Sequence, residues 1–381
     1  MLRRLQPYGR RRGGSEVELG GRVLLNLSSN DYLGLAGDSA LLSRFYESMA
    51  SGGPEVLERF SLGTASSRLL TGDSEVAHRL ESHLADLYGR PALLFNSGYH
   101  ANIGILPALL GKNDLILSDK LNHASLHDGL RIGRATCKRF NHRDATHLRR
   151  LLESERQRYE RVAIVSESIF SMDGDCADLA RLVALKREFD CLLYVDEAHA
   201  IGVRGERGLG LAEEDGLLAE VDLLVGTFGK ACGSVGAFLI CCEDIRDYLI
   251  NHSRSLIFTT ALPPVVLSWN LFVMERIPAM AEQRRQLRLL SDRFRAALRE
   301  RQLPTAGSTN IVPVIIGSAE HTVAGAAFLR EHGFLVLPVR PPTVPQGTSR
   351  FRLSLTATLC WEQIDRLPGL IGAWLADSGA S

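Results

Sequence analysis

The sequence predicts an α/β fold with a large domain on a mostly parallel sheet and a smaller C-terminal α+β domain. Three observations predict it. From about residue 75 to 240, amphipathic helical stretches alternate with short apolar runs bounded by Gly, Asp or Ser, the pattern of a sheet covered by helices. Pro263 and Pro264 then punctuate the chain, and beyond them the regular alternation stops. A length of 381 residues exceeds a minimal single domain and suits a large domain with a companion. The expected partition is an N-terminal segment over 1–30, a large domain over 31–265 and a small domain over 266–381.

Residues 75–89 and 177–190 carry apolar side chains at helical spacing, and Asp73 and Asp175 stand where caps belong. Strands are expected at 92–96, 114–118, 161–166, 191–196, 223–227 and 236–241, each a short apolar run. A long helical stretch follows from 265 to about 302, with arginines on its polar side, as a bridge between domains. The small domain should hold strands at 310–316, 335–339 and 350–354 and helices at 322–332 and 361–375.

Lys plus Arg equals Asp plus Glu at 44 each, which removes any net-charge argument for nucleic acid or a membrane surface as the main partner. The run Arg10, Arg11, Arg12 reads as a solvated face. Seven cysteines form no C-x-x-C pair and no metal-type cluster, so reduced thiols, a cytoplasmic location and no metal are expected. No apolar stretch follows Arg3 and Arg4 as a leader would require, and none later has the roughly 18 residues of a membrane span.

The chemistry gathers at two strand ends. The run 191–195 ends in Asp196-Glu197-Ala198-His199, placing a carboxylate and an imidazole at the carboxyl end of a parallel strand, where functional side chains collect. Taken alone, Asp196 also reads as a helix cap. The next strand ends in Thr227-Phe228-Gly229-Lys230-Ala231-Cys232-Gly233, and small neighbours around a lysine let a bulky group approach the backbone. Lys230 therefore suits an amine that bonds an aldehyde, and the Thr227 hydroxyl could reach a phosphate nearby. An amine, a carboxylate and polar partners together meet the needs of a pyridine cofactor. Upstream, residues 96–102 follow a strand and open a helix, which offers backbone N–H groups to a phosphate. His123 follows another strand and could lay its ring on a flat cofactor, or serve as a structural histidine.

These elements, with Ser28-Ser29-Asn30-Asp31-Tyr32-Leu33-Gly34-Leu35, Asn122-His123-Ala124-Ser125 and the segment 167–175, resemble the α-oxoamine synthases. The matches run in that family's order over nearly the whole chain. The resemblance implies fold-type I architecture, pyridoxal 5'-phosphate and the joining of an amino acid to an acyl thioester with loss of carbon dioxide. It implies that Lys230 bonds the cofactor, Asp196 pairs with its ring nitrogen, His199 and Ser171 contact its ring hydroxyl, and His123 stacks on the ring. Gly98, Tyr99 and Thr227 would hold the phosphate end or adjoining cofactor atoms, while Thr259 and Thr260 would reach the phosphate of the other subunit of a homodimer. Asn30, Arg340, Thr343 and His123 would face substrate, and Arg3 is matched to a substrate-contacting arginine.

Within the family, Arg340-Pro341-Pro342-Thr343-Val344-Pro345 favours the biotin-pathway branch, with L-alanine and a pimeloyl thioester on coenzyme A or an acyl carrier protein. Glycine-using relatives are the alternative, and an aminotransferase on the same fold is a further one. The chain begins late compared with many members, and residues 63–72 differ from a glycine-richer version of that segment.

Overall fold

The computed structural model describes residues 7–9, 15–50, 53 and 55–377. Two compact units divide it: Leu42–Phe170 with Cys176–Ala281 form the larger, and the remainder, including Ser171–Asp175 and the chain from Glu282, the smaller.

The larger unit carries seven strands, β1 Ala92–Phe95, β2 Leu115–Asp119, β3 Thr136–Phe140, β4 Val162–Glu167, β5 Leu192–Asp196, β6 Leu223–Thr227 and β7 Ala237–Ile240. Their order across the sheet is β1-β7-β6-β5-β4-β2-β3. Only β7 runs against its neighbours; the β6-β5-β4-β2-β3 pairs are all parallel. Parallel strands are covered on both faces, so β2, β4 and β6 are buried along their whole length. Phe95, Ile116, Val165, Tyr194, Val225 and Leu239 pack with the helical residues Ala101, Ile105 and Leu126 in one core.

Six of these strands match expectation to within a residue or two, whereas β3 was not foreseen. Its sequence TCKRF carries two adjacent charged residues, Lys138 and Arg139, and its edge position leaves all but Phe140 partly or fully exposed, so it lacks the apolar run that marks a buried strand. Four helices matter below: α1 Glu75–Tyr88, α2 Gly98–Leu109, α3 Ala124–Ile132 and α4 Leu179–Phe189. The expected caps differ. α1 follows Ser74, and Asp73 instead binds Arg68 at 2.7 Å and His78 at 2.6 Å. The carboxylate that caps α4 is that of Asp178, which accepts from the Arg181 amide at 2.9 Å. The stretch from 265 onward is two helices, Pro264–Met274 and Ala281–Glu300, parted around Pro278, and the first belongs to the larger unit.

In the smaller unit, a hairpin of Glu16–Leu19 and Arg22–Asn26 pairs with Phe334–Leu335, and Ile311–Gly317, Ser349–Ser354 and Pro338–Val339 form a second three-stranded sheet. The expected strand at 335–339 is thus two short pieces in different sheets. The expected helix at 361–375 likewise breaks into Trp361–Ile364 and Leu367–Asp377. The excursion Ser171–Asp175 leaves the larger unit where Ile169 and Cys176 pair across its base.

Candidate active site

β5 delivers Asp196 to its carboxyl end, 5 % exposed, where Oδ1 accepts from the Ala198 amide and Oδ2 from the Asn102 side-chain amide, each at 2.9 Å. Both oxygens are thereby aimed. No named helix follows Asp196 directly, and its Oδ1 closes the turn at Ala198. His199 is buried on the turn that follows.

β6 and the antiparallel β7 are joined by the tight connection that carries Lys230. The Phe228 amide bonds Gly236 O, Ser234 N bonds Phe228 O at 3.0 Å, and Gly233 N bonds Lys230 O at 2.9 Å. Thr227 donates its hydroxyl to Gly236 O at 2.9 Å and accepts from Gly229 N at 3.1 Å. That hydroxyl, expected to reach a phosphate, is therefore committed to holding the lysine's own turn. The Thr227 side chain nevertheless neighbours Gly98, where an added Cβ would stand 3.9 Å from the Thr227 Cβ.

Ser97 caps α2 by accepting from His100 N at 3.2 Å, which leaves the Gly98 and Tyr99 amides as first-turn donors that no helix carbonyl takes. Tyr99 leans onto α3, its hydroxyl 2.9 Å from Asp128, and that bond raises its pKa. Asn96 donates to the Thr260 carbonyl at 2.7 Å and the Thr259 hydroxyl at 3.3 Å within the same chain.

His123 is the N-cap of α3, with its side chain accepting from Ser125 N. The residue as a whole is exposed. Burial of the ring nonetheless lowers its pKa; Asp196 opposes this and Lys230 adds to it. The same two charges act on Glu167, 3 % exposed at the end of β4, whose carboxyl is pushed well above its ordinary range chiefly by burial and then by Asp196. Asp196 and His123 are thus joined through Asn102 and Ser125, and Lys230 follows the end of β6, the strand beside β5, with the buried Glu167 carboxyl at the end of β4 as a further group that the motifs did not flag. The cluster fits pyridoxal phosphate, since Lys230 supplies an amine on an ordered turn, Asp196 an oriented carboxylate, and the start of α2 unsatisfied amides.

In the smaller unit the Arg352 guanidinium is 9 % exposed and bonds only neutral groups among the described residues: Ser171 O, Ser354 Oγ at 2.8 Å, Asn30 Oδ1 at 3.1 Å and the Tyr32 hydroxyl at 3.4 Å. Arg352 was not anticipated. Two arginines at alternate positions of a buried strand, Arg350 and Arg352, were the available signal; Arg350 pairs with Asp173. Gly34, at φ 75, packs where a Cβ would strike Thr358, which lets the chain turn just after Asn30 and Tyr32. Arg340 and Thr343 share one turn, Thr343 N bonding Arg340 O at 3.1 Å, and Arg340 lines an open depression of about 590 Å³. Ser171 belongs to this unit. Arg3 lies outside the described residues.

The model of the aminotransferase class I and II family matches residues 22–369. The 8-amino-7-oxononanoate synthase of Chlorobaculum parvum is 52% identical over 366 residues, covering 96% of this chain and 93% of that protein. Among solved structures, a serine palmitoyltransferase of S. paucimobilis with PLP and myriocin bound superposes with a TM-score of 0.90 at 29% identity, over 98% of this chain and 94% of that one. That of Sphingomonas wittichii gives 0.89 at 30% identity, over 98% and 92%. The chain belongs to the aminotransferase class I and II family and, within it, to the α-oxoamine synthases, fold-type I acyltransferases that depend on pyridoxal phosphate.

Proposed function

We propose that this chain joins L-alanine to a pimeloyl thioester, carried on coenzyme A or an acyl carrier protein, releasing the thiol and carbon dioxide to give 8-amino-7-oxononanoate for biotin synthesis. The observation that carries the reading is the hydrogen-bonded chain from Asp196 at the end of β5 through Asn102 and Ser125 to His123 at the start of α3, with Lys230 just past the end of the neighbouring strand β6. The named activity of relatives about half identical to this chain supports the substrates.

Bound pyridoxal phosphate supplies the electron sink that an α-carbanion needs. Asp196, held by Ala198 and Asn102, keeps a proton on the cofactor's ring nitrogen, because an adjacent carboxylate favours the charged form of its partner. The Lys230 amine takes the α-proton of alanine. His123 would stack on the ring and hydrogen-bond the substrate, while His199 and Ser171 would serve the ring hydroxyl. Gly98 and Tyr99 hold the phosphate through their first-turn amides, and Thr227 walls that end through its place beside Gly98. Asn30, Arg340 and Thr343 face substrate. Arg352 joins them: a buried guanidinium without a carboxylate among its described partners suits a substrate carboxylate, which its planar fork can bind through both oxygens.

The enzyme works as a homodimer, with Thr259 and Thr260 serving the phosphate of the other subunit. Leu57, Leu62, Leu70 and Phe258 are 76%, 87%, 78% and 69% exposed, and apolar exposure on this scale favours a partner surface. A cytoplasmic setting fits these small, soluble substrates; among the described residues no helix is long and apolar enough to cross a membrane. The test offers purified protein L-alanine or glycine with acyl thioesters of graded length and follows thiol release and product mass. Alanine with the pimeloyl donor should give the fastest turnover. Preference for glycine with a short acyl chain, or ketone formation from the amino acid without a thioester, would refute the assignment.

A further inference from the structure

One side-chain amide joins the carboxylate and the imidazole of the cluster. Tyr194 is wholly buried at the centre of β5, and burial keeps it a phenol, so its hydroxyl donates to Asn102 Oδ1. The Asp196 carboxylate, which can only accept, settles which end of the Asn102 amide is which: Nδ2 faces Asp196 and Oδ1 faces Tyr194. Its Nδ2 then has two protons to give, and both are taken: one by Asp196 Oδ2 and one by Ser125 Oγ, each at 2.9 Å. Having accepted from Asn102, the Ser125 hydroxyl has one proton left, and His123 Nδ1 lies 2.8 Å away. The Ser125 backbone N–H, which can only donate, also meets Nδ1 at 3.3 Å. With two donors on Nδ1, the proton of a neutral His123 belongs on Nε2.

The backbone is arranged to bring these groups together. Gly129 of α3 packs on Asn102 of α2 so closely that a Cβ there would stand 2.3 Å from the Asn102 carbonyl oxygen. Asn102 and Ser125 are each 1 % exposed, so water does not compete for these bonds.

We propose that Asn102 and Ser125 are positioning residues that hold His123 as its Nε2–H tautomer, tied through one amide to Asp196. His123 thereby meets the substrate as a hydrogen-bond donor rather than as a base. This rests on the reading of His123 as a substrate-facing group, but the tautomer itself does not.

The test uses cofactor-loaded protein with ¹⁵N-labelled histidine, the His123 signals being identified by their loss in His123→Asn. Wild-type protein should show Nε2 protonated and Nδ1 bare. Ser125→Ala leaves only the longer backbone bond and should raise a population with the proton on Nδ1, as should Asn102→Ala, while Ser125→Thr restores the wild-type pattern. Loss of one such bond should also lower kcat about two- to tenfold. KM for the amino acid should change less. If Asn102→Ala fails to fold, Ser125→Ala decides alone. Histidine signals in Ser125→Ala that coincide with wild type overturn the proposal whatever the activity. A tautomer shift in a protein that turns over no thioester would instead leave the positioning intact and refute the proposed reaction.

Discussion

Glu197 stands next to Asp196 in sequence and does different work, which a pH series on stability can expose. It is fully buried, and its carboxylate accepts from Leu211 N at 3.0 Å, Ala212 N at 2.7 Å and the Ser168 hydroxyl. Removal from water outweighs these three donors and pushes the carboxyl from 4.5 up to about 7. The folded chain therefore keeps this proton to higher pH than the unfolded chain. Its contribution to stability is fully present below 4.5 and is lost as pH rises through about 7. At about 1.4 kcal/mol for each pH unit, that interval amounts to about 3 kcal/mol. Glu197→Gln keeps the shape and removes the titration. Urea unfolding at fixed cofactor concentration, repeated across the interval, should show wild type losing about 3 kcal/mol more than the variant with the same m value. Other buried acids such as Glu167 titrate in both proteins and cancel in the difference. Parallel curves for the two proteins would refute the argument that burial dominates at Glu197.

Two further outcomes test the assignments. Borohydride treatment after adding pyridoxal phosphate should fix the cofactor's mass on the peptide carrying Lys230 and abolish the yellow colour; a modified peptide elsewhere defeats the role given to this lysine. Mixing a Lys230→Ala chain with a Thr259→Ala, Thr260→Ala chain under subunit exchange should raise activity above the sum of the parents. Because each lost neutral hydrogen bond is worth about 0.5–1.5 kcal/mol, the gain will be modest, and an impaired double-threonine variant without rescue would assign these threonines to their own subunit.

The strand ends that carry Asp196 and Lys230 were legible because buried parallel strands are short, apolar and sharply bounded, so the polar residue that ends each one stands out. Family resemblance then supplied the roles. Neither route revealed the bond between Asn102 and Asp196, whose partners lie 94 residues apart and meet only where α2 packs on the sheet. Thr227 was read from its hydroxyl and from the resemblance, and only the turn showed that this hydroxyl is already engaged. Strand β3 escaped because an edge position tolerates the charged pair Lys138 and Arg139, which removes the apolar signature. Asp73 and Asp175 looked like caps by position, yet the first was drawn to Arg68 and His78 and the second was displaced by Asp178.

The reversal of β7 against β6 has a thermodynamic consequence for turnover. Because the chain comes straight back, the backbone around Lys230 is pinned from both sides by Phe228, Gly233, Ser234 and Gly236. Its conformational entropy is surrendered once, when the protein folds. If Lys230 has the proposed role, each release and recapture of its amine would require only the side-chain torsions to be fixed again, at a cost of about 1.5–2 kcal/mol at most for a lysine. A lysine on a loose loop would have to order several residues each cycle, at about 1–2 kcal/mol apiece. The hairpin keeps the ordering of the backbone out of the catalytic cycle.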